Sequence, residues 1–176
     1  MKGIISKKIE ILGGLTSYNP NTAYTNEQLA VIKQQVRAHM QALPEEDVMD
    51  FVATYGGSVF QNEVLIPITE KPDFLSGNVP VKAIIGFASS PSVTDYINQY
   101  YHSQQLAVKF FPVFEGLEGD LIFYSLESHT EGAIYYWHRN GEASGEILLL
   151  SRSFGDFIAA LYSHKEEEAI TLDITV

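Results

Sequence analysis

The spacing of apolar residues predicts two consecutive helices near the start of the chain. The first begins at Thr25, where the run from Thr25 to Gln28 matches a capping box. Pro44 ends this helix and opens the next one, where its missing N–H costs nothing. Gly56 or Gly57 then supplies the left-handed cap. The apolar positions that follow helical spacing are Leu29, Ile32, Val36, Met40 and Leu43 in the first helix, and Val48, Phe51, Val52 and Tyr55 in the second.

The second half of the chain alternates short apolar runs with turn residues, which is typical of strands. A third helix is predicted from Pro91, and a fourth, capped by Ser153, covers 153–161. Because short turns join most of the strands, consecutive strands should pair antiparallel. We therefore expect an α+β fold, a largely antiparallel sheet with helices packed on it. Strands are predicted at 64–66, 83–88, 108–114, 120–125, 133–138 and 147–150.

Both ends of the chain are predicted as extensions of one domain that spans residues 25–164. In the first 24 residues, the apolar pairs of 4–5 and 9–12 suggest a short strand, followed by turns at Gly13–Gly14 and 17–21. The tail, residues 165–176, alternates with period two, which predicts a half-buried strand. We expect that strand to pair with the sheet edge or with the N-terminal stretch.

Composition fits a single globular domain and excludes several kinds of site. The 176 residues are 45% hydrophobic and 19% charged, with no cysteine, so disulfides, thiolate metal sites and cysteine nucleophiles are absent. No segment approaches the roughly 18 apolar residues of a membrane helix. The N-terminus is a poor signal peptide, and we expect a cytoplasmic protein.

The net charge is strongly negative. Eleven basic against twenty-two acidic residues give a formal charge of −11, which repels nucleic acid and anionic membrane and attracts a basic partner. The plainer interpretation is that an acidic surface aids solubility, and charge alone favours that interpretation. No pattern in the sequence indicates an oligomeric state.

The motifs of common catalytic and cofactor sites are absent from the sequence. It holds no phosphate loop, dinucleotide fingerprint, nucleophile elbow or zinc helix, and the histidines show no ligand spacing. Glu115, Glu118 and Asp120 are candidate ligands for a hard cation, but a hairpin turn with solvated acids explains them better. We predict no metal, no cofactor and no enzymatic activity.

An aromatic strand follows this acidic turn. Alternation places Tyr135 and Trp137 on one face and Tyr136 and His138 on the other. Burial in the core is favoured for Tyr135 and Trp137, because large aromatics usually fill cores. For Tyr136 and His138, core and exposed binding surface stay open as alternatives.

Four motifs in this order resemble the SUKH superfamily, which includes fungal cell-wall-assembly regulators and many bacterial toxin-immunity proteins. They are the helix ending in Tyr55-Gly56-Gly57, the Glu-Gly-x-x-Gly-Asp turn from Glu115, the Tyr-Tyr-Trp strand, and the closing Ser-Phe-x-x-Phe helix. The resemblance covers about residues 29–161. Two features depart from it: Ser125 and Glu127 stand where the family often has Asp, and the tail extends beyond the usual closing helix.

The resemblance implies a protein-binding module without a catalytic residue. Together with the charge, it suggests partner-binding roles for Glu115, Glu118, Asp120, Glu127 and Tyr136. The predicted function is that of an immunity protein that blocks a basic toxin domain, with a nuclease as the expected toxin, by stoichiometric occlusion. A regulatory scaffold without a toxin partner is the alternative, and an enzyme of unrecognised type is the third interpretation.

Overall fold

The computed structural model describes residues 2–18, 24–69, 75–101, 109–139 and 145–163. Its elements follow the order α1 (Lys2–Ile11), β1 (Leu15–Ser17), α2 (Asn26–Met40), α3 (Glu46–Tyr55), β2 (Ser58–Pro67), β3 (Asn78–Ile84), α4 (Val93–Tyr101), β4 (Phe110–Glu115), a 3-10 turn (Leu117–Gly119), β5 (Leu121–Ser125), β6 (Ile134–Trp137), β7 (Ile147–Ser151), α5 (Phe154–Ala160) and β8 (Tyr162–Ser163). The predicted α+β class is confirmed.

The strands form one antiparallel sheet in the order of the chain, from β1 at one edge to β7 at the other. The short strand β8 pairs with β2 beside Val64 and Leu65, so it lies along the same side of β2 as β1 does. Directly opposite residues form a continuous row from β1 to β7, and we call it the central row: Thr16, Val59, Ala83, Glu115, Leu121, Trp137 and Ile147.

Helices cover both faces of the sheet. On the face opposite the central row, Phe114 of β4 packs against Phe51 of α3 and Phe157 of α5, with ring centroids 5.5 and 5.3 Å apart. On the face of the central row, Tyr100 of α4 meets Trp137 edge-on at 5.2 Å. Trp137 is buried, as predicted, while Tyr135 is only partly buried.

The predicted N-terminal strand is wrong, because residues 2–11 form helix α1. Ile5, Ile9 and Leu12 are spaced by four and three residues, which places them on one helical face, and Ile5 and Leu12 are buried. Gly13 and Gly14 do form a turn, with φ of 97° and 89°. The turn is followed by β1, which ends at Ser17, the first residue of the second predicted turn. Residues 19–21 of that predicted turn lie outside the described residues.

The predicted capping box of α2 is confirmed, whereas Pro44 does not open α3, which begins at Glu46 after the N-cap Glu45. The Thr25 side chain accepts from the Gln28 backbone N–H, and the Gln28 side chain accepts from the Thr25 N–H. Helix α2 ends at Met40, earlier than its apolar spacing suggested, because Gln41 turns left-handed with φ of 59°. After α3, Gly56 is extended and Gly57 takes the positive φ of 78°.

Strand β3 covers Asn78–Ile84, so it begins and ends earlier than the strand predicted at 83–88, and it contains Pro80. The carbonyl oxygen of Pro80 faces the acidic turn, lying 3.3 Å from where a Cβ on Gly116 would stand. On that side β3 pairs with β4 only at Ala83 and Ile84. The missing N–H of Pro80 therefore costs no bond of the sheet. The tail prediction concerns residues 165–176, which lie outside the described residues.

The end of α3 docks on the end of β3 through two glycines. A Cβ on Gly56 would lie 2.4 Å from the Cα of Gly86, and the Gly57 N–H donates to the Ile84 carbonyl at 2.8 Å. Backbone therefore packs on backbone at this point, and no larger side chain fits.

We predict that Gly56→Ala lowers the free energy of unfolding by about 1–3 kcal/mol, because the added methyl group overpacks a backbone contact. Gly3→Ala is the matched control, since Gly3 lies in α1 with nothing within 4 Å of its added Cβ. The control should be neutral or stabilising by up to about 1 kcal/mol. Urea unfolding of both variants measures the difference, and equal stabilities would contradict the close docking.

Candidate functional site: the acidic turn and its cavity

The acidic turn, residues 115–120, joins β4 to β5 in a tight hairpin. The Gly116 N–H donates to the Asp120 carbonyl at 2.8 Å, and the Asp120 N–H donates to the Leu117 carbonyl at 2.9 Å. Glu118 and Gly119 take left-handed backbone angles, with φ of 53° and 83°. This conformation suits glycine and is uncommon for glutamate. It leaves the Glu118 side chain exposed at the tip of the turn.

Asp120 fastens the turn to β6. Its residue is only 4% exposed, and its carboxylate accepts from the Tyr136 hydroxyl and from the Arg139 backbone N–H at 2.9 Å. The His138 Nδ1 lies 3.1 Å from the same carboxylate. Hydrogen bonds to an ionised acceptor are stronger than those between neutral groups, so this cluster fixes the position of the turn against β6.

Tyr136 is buried at 3% exposure, so the core alternative holds for this residue, while His138 on the same face is partly buried. Burial raises the pKa of Tyr136 well above its usual range, and the hydrogen bond to Asp120 and the nearby negative charges of Asp120 and Glu118 raise it further. The phenol is therefore held neutral. It serves as a donor that stabilises the Asp120 carboxylate.

Glu115 lies on the opposite face of the sheet from Asp120 and is half-buried. Its carboxylate accepts from the Tyr96 hydroxyl of α4. Burial and this carboxylate raise the pKa of Tyr96 above its usual range. In the central row, Glu115 follows Val59 and Ala83, whose small side chains leave open space beside it.

That open space is a cavity of about 600 Å³. Glu115 and Lys82 bring charge to it, and Val59 and Ala83 belong to its sheet wall. The rest of the lining is Tyr18, Gly57, Ser58, Ile84, Ile85 and the loop 88–91. A second cavity of about 590 Å³ also borders Ser58, Ala88 and Ser89. The shared residues place the two cavities side by side, and we call the pair the groove; its second cavity is lined by residues of α1 and α3.

Arg139 connects the acidic turn with α4. Its Nη1 donates to the Gly119 carbonyl at 2.7 Å, and its guanidinium carbon lies 4.6 Å from the ring centroid of Tyr100 and 5.8 Å from that of Trp137. Cation–π contacts of this kind stabilise by about 0.5–2 kcal/mol. Neither Arg139 nor Tyr96 was predicted as a site residue, because no local motif contains either contact.

Glu127 does not belong to this cluster. It follows the far end of β5, where its N–H donates to the Ser125 hydroxyl at 3.2 Å. A strand of the length of β5 spans roughly 15 Å, so Glu127 and the acidic turn lie at opposite ends of the sheet.

The carboxylates of Glu115, Glu118 and Asp120 have different neighbours and do not converge on one point. Within the described residues, no three histidine or acidic side chains are grouped in a way that holds a metal ion. The same residues contain no helix with the length and apolar character needed to cross a membrane.

The sequence of a known protein family matches most of this chain. The sequence model of the SMI1 / KNR4 family (SUKH-1) matches residues 25–160, from the cap of α2 to the end of α5. No curated protein matches the chain. The matched range includes the acidic turn, α4 and most of the groove, and it leaves out α1 and β1.

We predict that Tyr136→Phe destabilises the protein at neutral pH, because Asp120 loses a buried donor; the expected loss is about 1–3 kcal/mol. The pKa of Tyr136 is raised in the folded state, so its contribution is complete below the unfolded value of about 10 and decreases as pH rises above it. The stability difference between wild type and variant should therefore shrink above about pH 10.

Tyr18→Phe is the matched control, because Tyr18 is 76% exposed. Thermal unfolding of the three proteins from neutral to strongly alkaline pH measures the effect. A difference for Tyr136→Phe that stays constant across pH 10 would be evidence against the buried phenol–carboxylate pair.

Proposed function

Since this chain belongs to the SMI1 / KNR4 family (SUKH-1), we propose that it is an immunity protein, which neutralises a basic toxin domain by stoichiometric occlusion. The family includes immunity proteins and cell-wall regulators, and its members generally act through protein interactions rather than catalysis. In this proposal the protein acts in the cytoplasm, and the toxin is a nuclease whose substrate groove is lined with basic residues.

The acidic turn is the observation that carries the proposal. It holds Glu118 exposed on a backbone that Asp120, Tyr136 and Arg139 tie to β6. A charge held on a fixed backbone loses little conformational entropy when a partner docks, which favours affinity. The net charge of −11 adds long-range attraction for a basic surface.

The five residues inferred for partner binding take different parts in this proposal. Glu118 contacts the partner directly, and Glu115 does so from inside the groove. Asp120 and Tyr136 are buried, so they act as positioning residues that set the turn. Glu127 contributes only if the partner extends along β5 to its far end.

The groove beside the turn gives the partner a place to insert side chains. Ligand sites are usually concave and mostly apolar, with few polar groups that fix orientation. Val59 and Ala83 supply the apolar part, and Glu115 supplies a carboxylate for an arginine or lysine of the toxin.

A regulatory scaffold is the second candidate, because the family also includes cell-wall regulators. Affinity capture from the native cell, followed by identification of the bound proteins, separates the candidates. A stoichiometric basic toxin domain supports immunity, whereas a set of cell-wall or signalling proteins supports the scaffold. Turnover of a small molecule without a partner would favour an enzyme instead.

We predict that association with the partner slows markedly as salt rises. Surface charges are screened beyond about 10 Å at 0.1 M salt, so the long-range attraction is lost first. Stopped-flow association rates across a salt series measure this. A flat profile would remove the electrostatic part of the proposal.

We also predict that Glu118→Lys slows association by about tenfold and leaves the melting temperature unchanged, because the side chain is exposed. Glu10→Lys makes the same change in net charge on α1, which precedes the edge strand β1 and not the acidic turn, and should have a much smaller effect. If the two variants behave alike, only net charge matters and the acidic turn is not the docking element.

A further inference from the structure

Strand β7 carries an apolar strip at the edge of the described sheet. Its only neighbour among the described strands is β6. Ile147 and Leu149, which we call the edge strip, are 42% and 47% exposed. They stand opposite Trp137 and Tyr135 of β6, so the strip continues the aromatic surface on the face of the central row.

The backbone N–H and C=O groups of the edge strip point away from β6. The His138 N–H donates to the Glu146 carbonyl at 3.0 Å, and the Gly145 N–H donates to the His138 carbonyl at 2.8 Å. The Glu146 carbonyl therefore faces β6, and the Ile147 N–H of the same trans peptide points the other way. Successive residues of an antiparallel strand direct their N–H and C=O groups to alternate sides. The N–H and C=O groups of Ile147 and Leu149 therefore point to the outer side of β7.

The strand is regular over the residues that matter. Ile147, Leu148 and Leu149 pair in register with Trp137, Tyr136 and Tyr135, and the bulge in β7 comes after Leu149, before Ser151. Proteins often protect an edge with a charge or a proline in the strand. The run Ile147–Ser151 contains neither, and its bulge leaves the outward groups of the edge strip in place.

We propose that β7 pairs antiparallel with β7 of a second copy of this chain, around a two-fold axis at Leu148. Ile147 of each copy then stands opposite Leu149 of the other. Both residues point outward, so each such pair exchanges two backbone hydrogen bonds. The same pairing buries the four exposed aliphatic side chains against one another on one face.

Charge complementarity favours a second copy over an unrelated strand. Exposed residues of opposite sign flank the strand, Glu146 before it and Arg152 after it. In any antiparallel two-fold arrangement the Glu146 end of one copy meets the Arg152 end of the other. Two local attractions thus form between chains that otherwise repel each other through a charge of −11 each.

The dimer should be weak and depend on concentration. A pairing of so few residues buries less than the roughly 800 Å² per partner of a standard interface. Sedimentation velocity of the full chain, from about 10 μM to 1 mM, covers the dissociation constants expected of such an interface. Salt of about 0.15 M reduces the range of the net repulsion to about 8 Å.

Leu149→Asp should raise the dissociation constant at least tenfold, because it removes apolar contact and places two carboxylates in the interface. Leu117→Asp is the matched control: Leu117 is 52% exposed at the acidic turn, and its replacement should leave dimerisation unchanged. Melting temperatures establish that both variants fold. A chain that stays monomeric at every concentration, or a dimer that Leu149→Asp leaves intact, overturns the proposal.

A charge-reversal cycle tests the arrangement of the two copies. Glu146→Arg and Arg152→Glu should each weaken the dimer, and the double variant should restore it. Amide hydrogen exchange at Ile147 and Leu149 should slow as concentration rises in the wild type. A double variant as weak as the single variants, or exchange that is independent of concentration, overturns the two-fold pairing.

Discussion

The buried carboxylate of Asp120 is the constraint on which the rest of the site depends. An ionised carboxylate is stable inside a protein only when hydrogen-bond donors surround it. Its donors come from one short stretch, Tyr136 to Arg139, so the end of β6 must meet the start of β5 at this point. The Asp120 carboxylate therefore fixes both the pairing of β5 with β6 and the position of the acidic turn.

Arg139 extends that constraint to the other face of the sheet. Its backbone N–H serves Asp120 and its side chain holds the Gly119 carbonyl, while the guanidinium rests on Tyr100 of α4. One residue thereby connects the carboxylate cluster, the tip of the turn and the helix that covers the sheet. A substitution at Arg139 should weaken contacts on both faces of the sheet, those of the acidic turn on one and those of α4 on the other.

Local sequence signals were sufficient where local contacts decide the structure. The capping box at Thr25 and the cap at Ser153 act within four residues, and both helices form where they were expected. Helix α1 was predicted as a strand because the apolar residues of Ile4–Ile5 and 9–12 are compatible with a strand as well as a helix until the contacts of Ile5 and Leu12 are known.

The site was predicted only in part. Charge suggested a partner-binding role for Asp120, whereas the contact between Asp120 and Tyr136 depends on the fold. No pattern in the sequence predicted the groove, because it is formed by small residues of β2 and β3 together with a distant loop.

Helix α4 divides the face of the central row into two separate surfaces. It crosses from Glu115 on β4 to Trp137 on β6, which leaves the groove on one side and the strip on β7 on the other. Ala83 and Ile147 are four strands apart in the row, about 19 Å at the usual strand spacing. Changes at such a distance with no shared neighbours usually add independently. The two surfaces can therefore diverge separately in evolution, so that specificity at one is free to drift while the other is conserved.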